Sequence, residues 1–161
     1  MLIRRASPHD AAAISRLAAQ VQQLHFENDP QSYKPPEPGA TVAWFRTQLS
    51  DPETVAFIAE DDDGRALGYV VTFPGFSEDN AVKRAAQFVE LNEIGVAGGH
   101  RGKGIGRALH ERVVEHWTGA GATEIRLTVI AFNTAARYYY EHLGFAETGR
   151  RMSLRLPKPR G

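Results

Sequence analysis

The chain has 161 residues, of which 42% are hydrophobic, a length that suits one domain with a real core and is too short for two. Lysine plus arginine and aspartate plus glutamate both number 19, so no overall charge favours binding to nucleic acid or to a membrane surface. The chain has no cysteine, which excludes disulfides, thiolate metal sites and a cysteine acyl-enzyme.

The first half of the chain predicts a strand, two helices and a hairpin. Its N-terminus begins with a short strand pattern and has no signal-peptide core, and no apolar run approaches the roughly 18 residues of a transmembrane helix, so we expect a cytoplasmic protein. Ser7 and Pro8 start a helix of about four turns, and four prolines make residues 29–39 a loop. The other predicted elements are a strand at 2–5, a helix at 41–49, paired strands at 54–60 and 66–73, and an irregular segment at 74–83.

The second half of the chain predicts two parallel strands, at 88–96 and 125–129, that are joined by a helix at 104–117. A further helix is predicted at 133–143. Met152, Leu154 and Leu156 alternate as a last strand before a flexible tail at 157–161. The expected fold is α/β (α+β): a single domain over 1–161 with a mixed, mostly antiparallel sheet and helices on both faces. Its ligand site should lie at the carboxyl end of the strand that ends at Val96.

An anion site is predicted in the glycine-rich, basic turn that follows this strand. Glycines permit positive φ and close approach of the backbone, Arg101, Lys103 and Arg107 supply positive charge, and the next helix presents its free first-turn amides. The P-loop pattern fails, because Ala97 stands where it needs glycine and Gly104 where it needs serine or threonine. The dinucleotide fingerprint fails in both registers as well.

The pattern Arg-x-x-Gly-x-Gly is present as Arg101, Gly104 and Gly106, and it resembles the pyrophosphate motif of the GNAT superfamily of acetyl-CoA-dependent N-acetyltransferases. The run from Val129 to Phe145, with Asn133, an alanine three residues later, an aromatic-Tyr-Glu sequence and Leu-Gly-Phe, resembles the second GNAT signature. The resemblance covers residues 88–156 well, whereas residues 2–72 match only in the order of their elements.

The resemblance implies the GNAT (acyl-CoA N-acyltransferase) fold with a central, splayed pair of parallel strands, and a coenzyme site made of two halves. Asn133 would hydrogen-bond the coenzyme, besides capping its helix, and Tyr140 would lie near the sulfur. Gly98 replaces the usual proline and makes the entry to the loop more flexible. The pantetheine arm would meet the backbone of Ile94, Gly95 and Val96, and the pyrophosphate would meet Arg101, Gly102, Lys103, Gly104, Ile105, Gly106 and Arg107.

Transfer to an amine needs a base, because an amine with a pKa of about 10.4 is almost wholly protonated at pH 7. Glu90 and Glu93 are the candidates, and strand alternation predicts that they face opposite sides of the sheet; Glu93 is the slightly favoured base. For either residue the alternative is a rim carboxylate or an ion-pair partner. Tyr140 is the candidate acid for the leaving thiolate, with a core aromatic as the alternative.

Four residues near the proline-rich loop and the third strand are candidates for binding the acceptor: His25, Phe26, Tyr33 and Phe73. For each of them the alternative is a packing or surface role. Four histidines lie at no convincing metal spacing, so no metal is assigned: His100, His110, His116 and His142.

The prediction is therefore an N-acetyltransferase that transfers acetyl from acetyl-CoA directly to a primary amine of a small molecule, peptide or protein in a ternary complex. A catalytically silent acyl-CoA-binding sensor or scaffold is the alternative, and a nucleotide-phosphate binder is a third hypothesis. Beyond acetyl-CoA and the amine, we expect no nucleic-acid or membrane partner. The sequence leaves the acceptor unidentified and is compatible with a monomer or a homodimer.

Overall fold

The computed structural model describes residues 1–156, so the predicted tail at 157–161 lies outside the described residues. The chain groups into two compact units, Met1–Thr128 and Val129–Gly161. Among the described residues, no helix is both long enough and apolar enough to cross a membrane. The first unit contains β1 (Leu2–Arg5), α1 (Ala11–Asn28), α2 (Val42–Ser50), β2 (Val55–Glu60), β3 (Ala66–Ser77), β4 (Ala86–Val96), α3 (Ile105–Gly119) and β5 (Ile125–Arg126), and the second contains α4 (Thr134–His142).

The strands form one sheet in the order β1-β2-β3-β4-β5. The pairs β1–β2, β2–β3 and β3–β4 are antiparallel, and β5 runs parallel to β4, with Val89 opposite Ile125 and Glu90 opposite Arg126. The predicted parallel crossover from β4 through α3 to β5 is therefore confirmed, as is the mixed and mostly antiparallel sheet.

Helices cover both faces of this sheet, as predicted. On one face α1 and α2 bury an apolar cluster with the sheet, and on the other face α3 does the same. Both clusters contain fully buried side chains, and each such side chain contributes on the order of 1.5–3 kcal/mol through removal of apolar surface from water. Ile14, Phe45, Ile58, Tyr69 and Val71 belong to the first cluster, and Phe57, Val70, Leu91, Leu109 and Val113 belong to the second.

β3 is longer than the sequence predicts, because it continues through residues 74–77, which were expected to be irregular. The last β2 residue in the ladder is Val55, which pairs with Thr72, so beyond this point β3 pairs with β4 alone. Pro74 lies opposite Val89 in this outer part, where a strand with one neighbour tolerates a missing amide donor.

Two other strand predictions are wrong, the first in part and the second wholly. β5 comprises only Ile125 and Arg126 rather than residues 125–129. Residues 147–156 form no strand in the described chain, and Met152 and Leu154 are 92% and 84% exposed. Alternating hydrophobicity indicates a strand only where a neighbouring strand supplies hydrogen bonds, and the structure shows none pairing with this segment within residues 1–156.

Candidate active site

The glycine-rich loop between β4 and α3 has the predicted positive φ at two of its five glycines, whereas Gly98, Gly99 and Gly106 have negative φ. Gly102 and Gly104 have φ of 75° and 81°, a region that side chains strongly disfavour. A β-carbon at either position would meet no atom within 4 Å, so backbone conformation rather than lack of space requires glycine here. Gly104 is the residue immediately before α3, and its left-handed conformation turns the chain into the helix.

The start of α3 presents unused hydrogen-bond donors. The first helical bond is from the Ala108 amide to the Gly104 carbonyl, at 3.0 Å. The amides of Ile105, Gly106 and Arg107 donate to no group within residues 1–156, as expected for the first turn of a helix. Lys103 and Arg107 are exposed beside them. Free amides, the positive end of the helix dipole and cationic side chains together suit a phosphate-bearing ligand.

Three contacts hold this loop in place. The Gly98 amide donates to the side-chain oxygen of Gln20 on α1, at 2.9 Å. The Ala97 amide donates to the Leu67 carbonyl at 2.9 Å, which continues the pairing of β3 with β4 past the end of the strand. Arg101 Nε donates to the Val96 carbonyl at 3.2 Å, so this side chain folds back over the end of β4. The contact of Gln20 is not predictable from the sequence, because a glutamine on a helix carries no local signal of a distant loop partner.

β4 and β5 separate after a short parallel ladder. Their pairing ends at Glu90 and Arg126, so the second half of β4 pairs with β3 alone and its other edge has no strand partner in the described chain. This is the splayed arrangement that the resemblance implies. Ile94 and Val96 pack towards the α3 cluster. Gly95 lies under the ring of Tyr69, since a β-carbon on Gly95 would be 2.6 Å from a Tyr69 ring carbon.

A β-bulge at Asn92 decides where the two candidate bases point. Val71 on β3 pairs with Glu93, but the next residue, Thr72, pairs with Leu91, so Asn92 is an extra residue on β4. Glu90 lies opposite Phe73. Residues opposite each other in an antiparallel pair share a face, and both Val71 and Phe73 pack with the α1 and α2 cluster. Glu90 and Glu93 therefore face the same side, and the prediction of opposite faces is wrong because strand alternation fails at the bulge.

The two carboxylates differ in their surroundings. Burial raises the pKa of Glu93 above its ordinary value, and the Tyr69 hydroxyl beside it acts in the opposite direction. Burial also raises the pKa of Glu90, against the attraction of Arg126. Arg126 itself binds Glu124 at 2.8 Å and stacks on Phe88, with its guanidinium carbon 3.9 Å from the ring centroid. Within residues 1–156 neither Glu90 nor Glu93 forms an ion pair.

Two of the predicted acceptor residues are in contact. The rings of His25 and Tyr33 lie 4.9 Å apart, and the backbone of Lys34 accepts a hydrogen bond from Gln22 at 3.2 Å, so the proline-rich loop folds back along α1. Burial lowers the pKa of His25. Phe26, next to His25, is half-buried. Phe73 lies on the same face of the sheet as Glu90 and Glu93.

The second unit contains the other two predicted site residues. Asn133 caps α4, as predicted, by accepting a hydrogen bond from the Ala136 amide at 3.1 Å. Tyr140 is half-buried, and its ring packs edge-on against Tyr139 and Phe145, with centroids 5.3 Å and 5.6 Å away. Burial, with a smaller effect of Tyr139, raises the pKa of the Tyr140 phenol. The phenol therefore stays protonated at neutral pH and can donate a hydrogen bond.

A sheet with one splayed parallel pair, next to a glycine-rich loop that opens a helix with free first-turn amides, is the arrangement of acetyltransferases that the sequence resemblance implies. The chain belongs to the GNAT family: the model described as "Acetyltransferase (GNAT) family" matches residues 18–145. Members of this family use acetyl-CoA.

Curated relatives are also acetyltransferases. Streptothricin acetyltransferase of Streptomyces lavendulae is 31% identical over 114 residues, which cover 71% of this chain and 56% of that protein. A mycothiol acetyltransferase of Kocuria rhizophila is 36% identical over 90 residues, which cover 55% of this chain and 28% of that protein. The chain thus spans about half of the first relative and less than a third of the second.

Solved structures share the fold over nearly the whole chain. A tetramutant of a Bacillus halodurans protein has a TM-score of 0.91 at 24% identity, covering 97% of this chain and 100% of its own. An aminoglycoside N-acetyltransferase in complex with CoA has a TM-score of 0.74 at 23% identity, and the match covers 96% of this chain and 93% of that chain. At these identities the likeness shows the fold alone, and that fold is the one the sequence resemblance implies.

Proposed function

We propose that the chain is an N-acetyltransferase that moves the acetyl group of acetyl-CoA directly to a primary amine within a ternary complex. The observation that carries this proposal is the geometry of the glycine loop, where two positive-φ glycines open a helix whose first three amides have no partner in the described chain. The proposed ligand of those amides and of the basic side chains around them is the coenzyme pyrophosphate. The unpaired edge of β4 supports a role for residues 94–96 in binding the pantetheine arm.

The proposed base is Glu93. A carboxyl whose pKa is raised by burial is a stronger base than an exposed one and is closer to the range in which general bases operate at neutral pH. It accepts the proton that the acceptor ammonium loses, directly or through a water. Glu90, on the same face, is the runner-up and is better suited to attracting the cationic acceptor.

The transfer step then balances without an acyl-enzyme. The neutral amine attacks the thioester carbonyl, a carbon–nitrogen bond forms, and the carbon–sulfur bond breaks. Tyr140 is proposed to supply a proton to the leaving thiolate, consistent with a phenol held in its protonated form. The second proton that the nitrogen loses as the amide forms returns to the Tyr140 oxygen through water, which restores the phenol. The absence of cysteine from the whole chain supports direct transfer. The proposed acceptor region includes His25, Tyr33 and Phe73, with Phe26 beside them.

The test is a thiol-release assay with acetyl-CoA and a chemically diverse panel of amines, including small amines, aminoglycosides and peptides. Free coenzyme A should appear only when a suitable amine is present. Coenzyme binding without release on any amine would favour the silent sensor, and tighter binding of ATP than of acetyl-CoA would favour the nucleotide binder. Mass spectrometry of the product, with an added acetyl group on nitrogen, distinguishes transfer from hydrolysis of the thioester.

A further inference from the structure

A polar groove lies on the α3 face of the sheet, at its outer edge. Arg5 on the edge strand β1 pairs with Phe57 on β2, so the two residues share a face. Arg112, Glu115 and His116 line the other side from α3, where a spacing of three and four residues puts them on one side of the helix. The groove has a volume of about 520 Å³, within the range of roughly 300–1,000 Å³ that is common for small-molecule sites.

Arg5 and its neighbour Arg4 have different hydrogen-bond partners. Arg4 binds two carboxylates, with contacts of 2.8 Å to Asp10 and 2.6 Å to Glu60. Arg5, which points to the opposite face, donates to the Thr54 carbonyl at 2.7 Å and has no carboxylate partner within residues 1–156. Burial lowers the pKa of Arg5. Arg5 is exposed, so its unused donors are open to an anion, and none of the described residues supplies a carboxylate to it.

The remaining groups make the groove cationic. The Arg112 guanidinium lies 5.7 Å from the Phe57 ring centroid and forms an ion pair with Glu115. His116 lies 6.2 Å from Phe57, ring to ring. Burial, Arg5 and Arg112 together lower the pKa of His116 below its ordinary value. Two guanidinium groups thus face a single carboxylate, above the ring of a buried phenylalanine.

The groove is separate from the glycine loop. Arg112 and His116 follow Gly104 by eight and twelve residues on the same helix, which corresponds to about 12 Å and 18 Å along its axis. A ligand in the groove therefore does not occupy the first-turn amides of α3.

We propose that this groove binds a small organic oxyanion, a carboxylate or a phosphate monoester whose apolar body packs on Phe57. Arg5 and Arg112 hold the oxyanion, and Glu115 competes with it for Arg112. Binding favours the imidazolium form of His116, because an anion offsets the repulsion from the two guanidinium groups. For a carboxylate, whose charge stays constant at neutral pH, affinity should therefore rise as the pH falls towards the His116 pKa, whereas a phosphate monoester itself takes up a proton near pH ~6.

Calorimetric titration with phenyl phosphate, benzoate and inorganic phosphate tests the proposal on the full chain. Phenyl phosphate or benzoate should bind more tightly than inorganic phosphate, and the tighter of the two identifies the preferred headgroup. Arg5→Gln should weaken that binding about tenfold, the effect of losing one charge-assisted hydrogen bond. Glu115→Gln should strengthen it, and Arg46→Gln, at an exposed position on α2, should leave it unchanged.

The opposite signs expected for Arg5→Gln and Glu115→Gln separate a specific site from loss of folding, which weakens binding in both variants. Binding that neither substitution alters would place the anion elsewhere, for instance at the glycine loop, and would overturn the proposal. So would inorganic phosphate binding as tightly as the organic anions, or no binding of any probe at pH 6. In the complex, the NMR-measured pKa of His116 should rise; an unchanged value contradicts the assignment.

Discussion

Glu90 and Glu93 face the same side of the sheet although they are three residues apart on one strand, because Asn92 is a bulge residue. A regular strand would have placed one carboxylate under α3 and the other under α1 and α2. The bulge instead places both beside the β3 residues that pack with α1 and α2, and there burial raises the pKa of each. Two carboxylates therefore compete for the role of base, and kinetics can assign it.

Glu93→Gln should lower kcat/KM by about 10²–10⁴, the usual contribution of a general base. In the unsubstituted enzyme, activity should fall on the acid side as Glu93 protonates, at a pH above the ordinary glutamate pKa because burial raises it. The measurement is the pH profile of kcat/KM. Glu90→Gln should retain this acid limb and mainly raise KM for the amine, and the reverse pattern would assign the base to Glu90.

Much of the fold follows from local patterns in the sequence. The apolar spacing of α1 and α3, the glycine loop and the Asn133 cap are all local signals, and the structure confirms them. The bulge at Asn92 is not local, because it depends on which β3 residue meets which β4 residue. The Gln20 contact to Gly98 is missed for the same reason. The failed strand at 152–156 shows that alternation without a partner is insufficient.

Gly95→Ala should destabilise the protein by about 1–3 kcal/mol, the usual cost of overpacking. The added carbon would lie 2.6 Å from a ring carbon of Tyr69, which is fully buried and cannot move aside freely. Urea unfolding measures the free-energy difference. Gly119→Ala is the matched control, because a carbon there meets no atom within 4 Å. Equal stability of Gly95→Ala and the unsubstituted protein would contradict the packing argument.

Substitution of both Arg101 and Lys103 by glutamine should raise KM for acetyl-CoA by about tenfold or more, since charge-assisted hydrogen bonds contribute roughly 1.5–3 kcal/mol each. KM for the amine should change little, because the loop is proposed to contact only the donor. Steady-state kinetics with each substrate varied in turn separates the two effects. Arg16→Gln, an exposed residue on α1, provides the control. A rise in the amine KM alone would place the loop at the acceptor.

Tyr140→Phe should lower kcat by about 10²-fold with little change in the affinity for coenzyme A, because the proposed hydroxyl acts only when the thiolate leaves. The ring packing against Tyr139 and Phe145 is retained in this variant, so stability should be nearly unchanged. Tyr138→Phe, on an exposed neighbour, is the control. An unaffected turnover in Tyr140→Phe would leave the residue with a packing role only.

The Arg4–Asp10 pair should make stability fall in acid. Asp10 receives two hydrogen bonds from Arg4, at 2.8 Å and 2.9 Å, and one from the Ser7 amide at 2.8 Å. The Arg4 guanidinium, ahead of the Ser7 contacts, lowers the Asp10 pKa from 3.8 to about 2. A depressed pKa stabilises the folded state above the unfolded pKa, and this contribution is lost as the pH falls from about 4 to 2.

Asp10→Asn should therefore reduce the free energy of unfolding by about 2 kcal/mol at pH 7, and by much less at pH 2. Denaturant unfolding of both proteins at several pH values measures this difference. Asp63→Asn, in the exposed turn between β2 and β3, should change stability by less than about 0.5 kcal/mol at either pH. A loss in Asp10→Asn that is the same at pH 7 and pH 2 would show that the carboxylate charge is not what Arg4 stabilises.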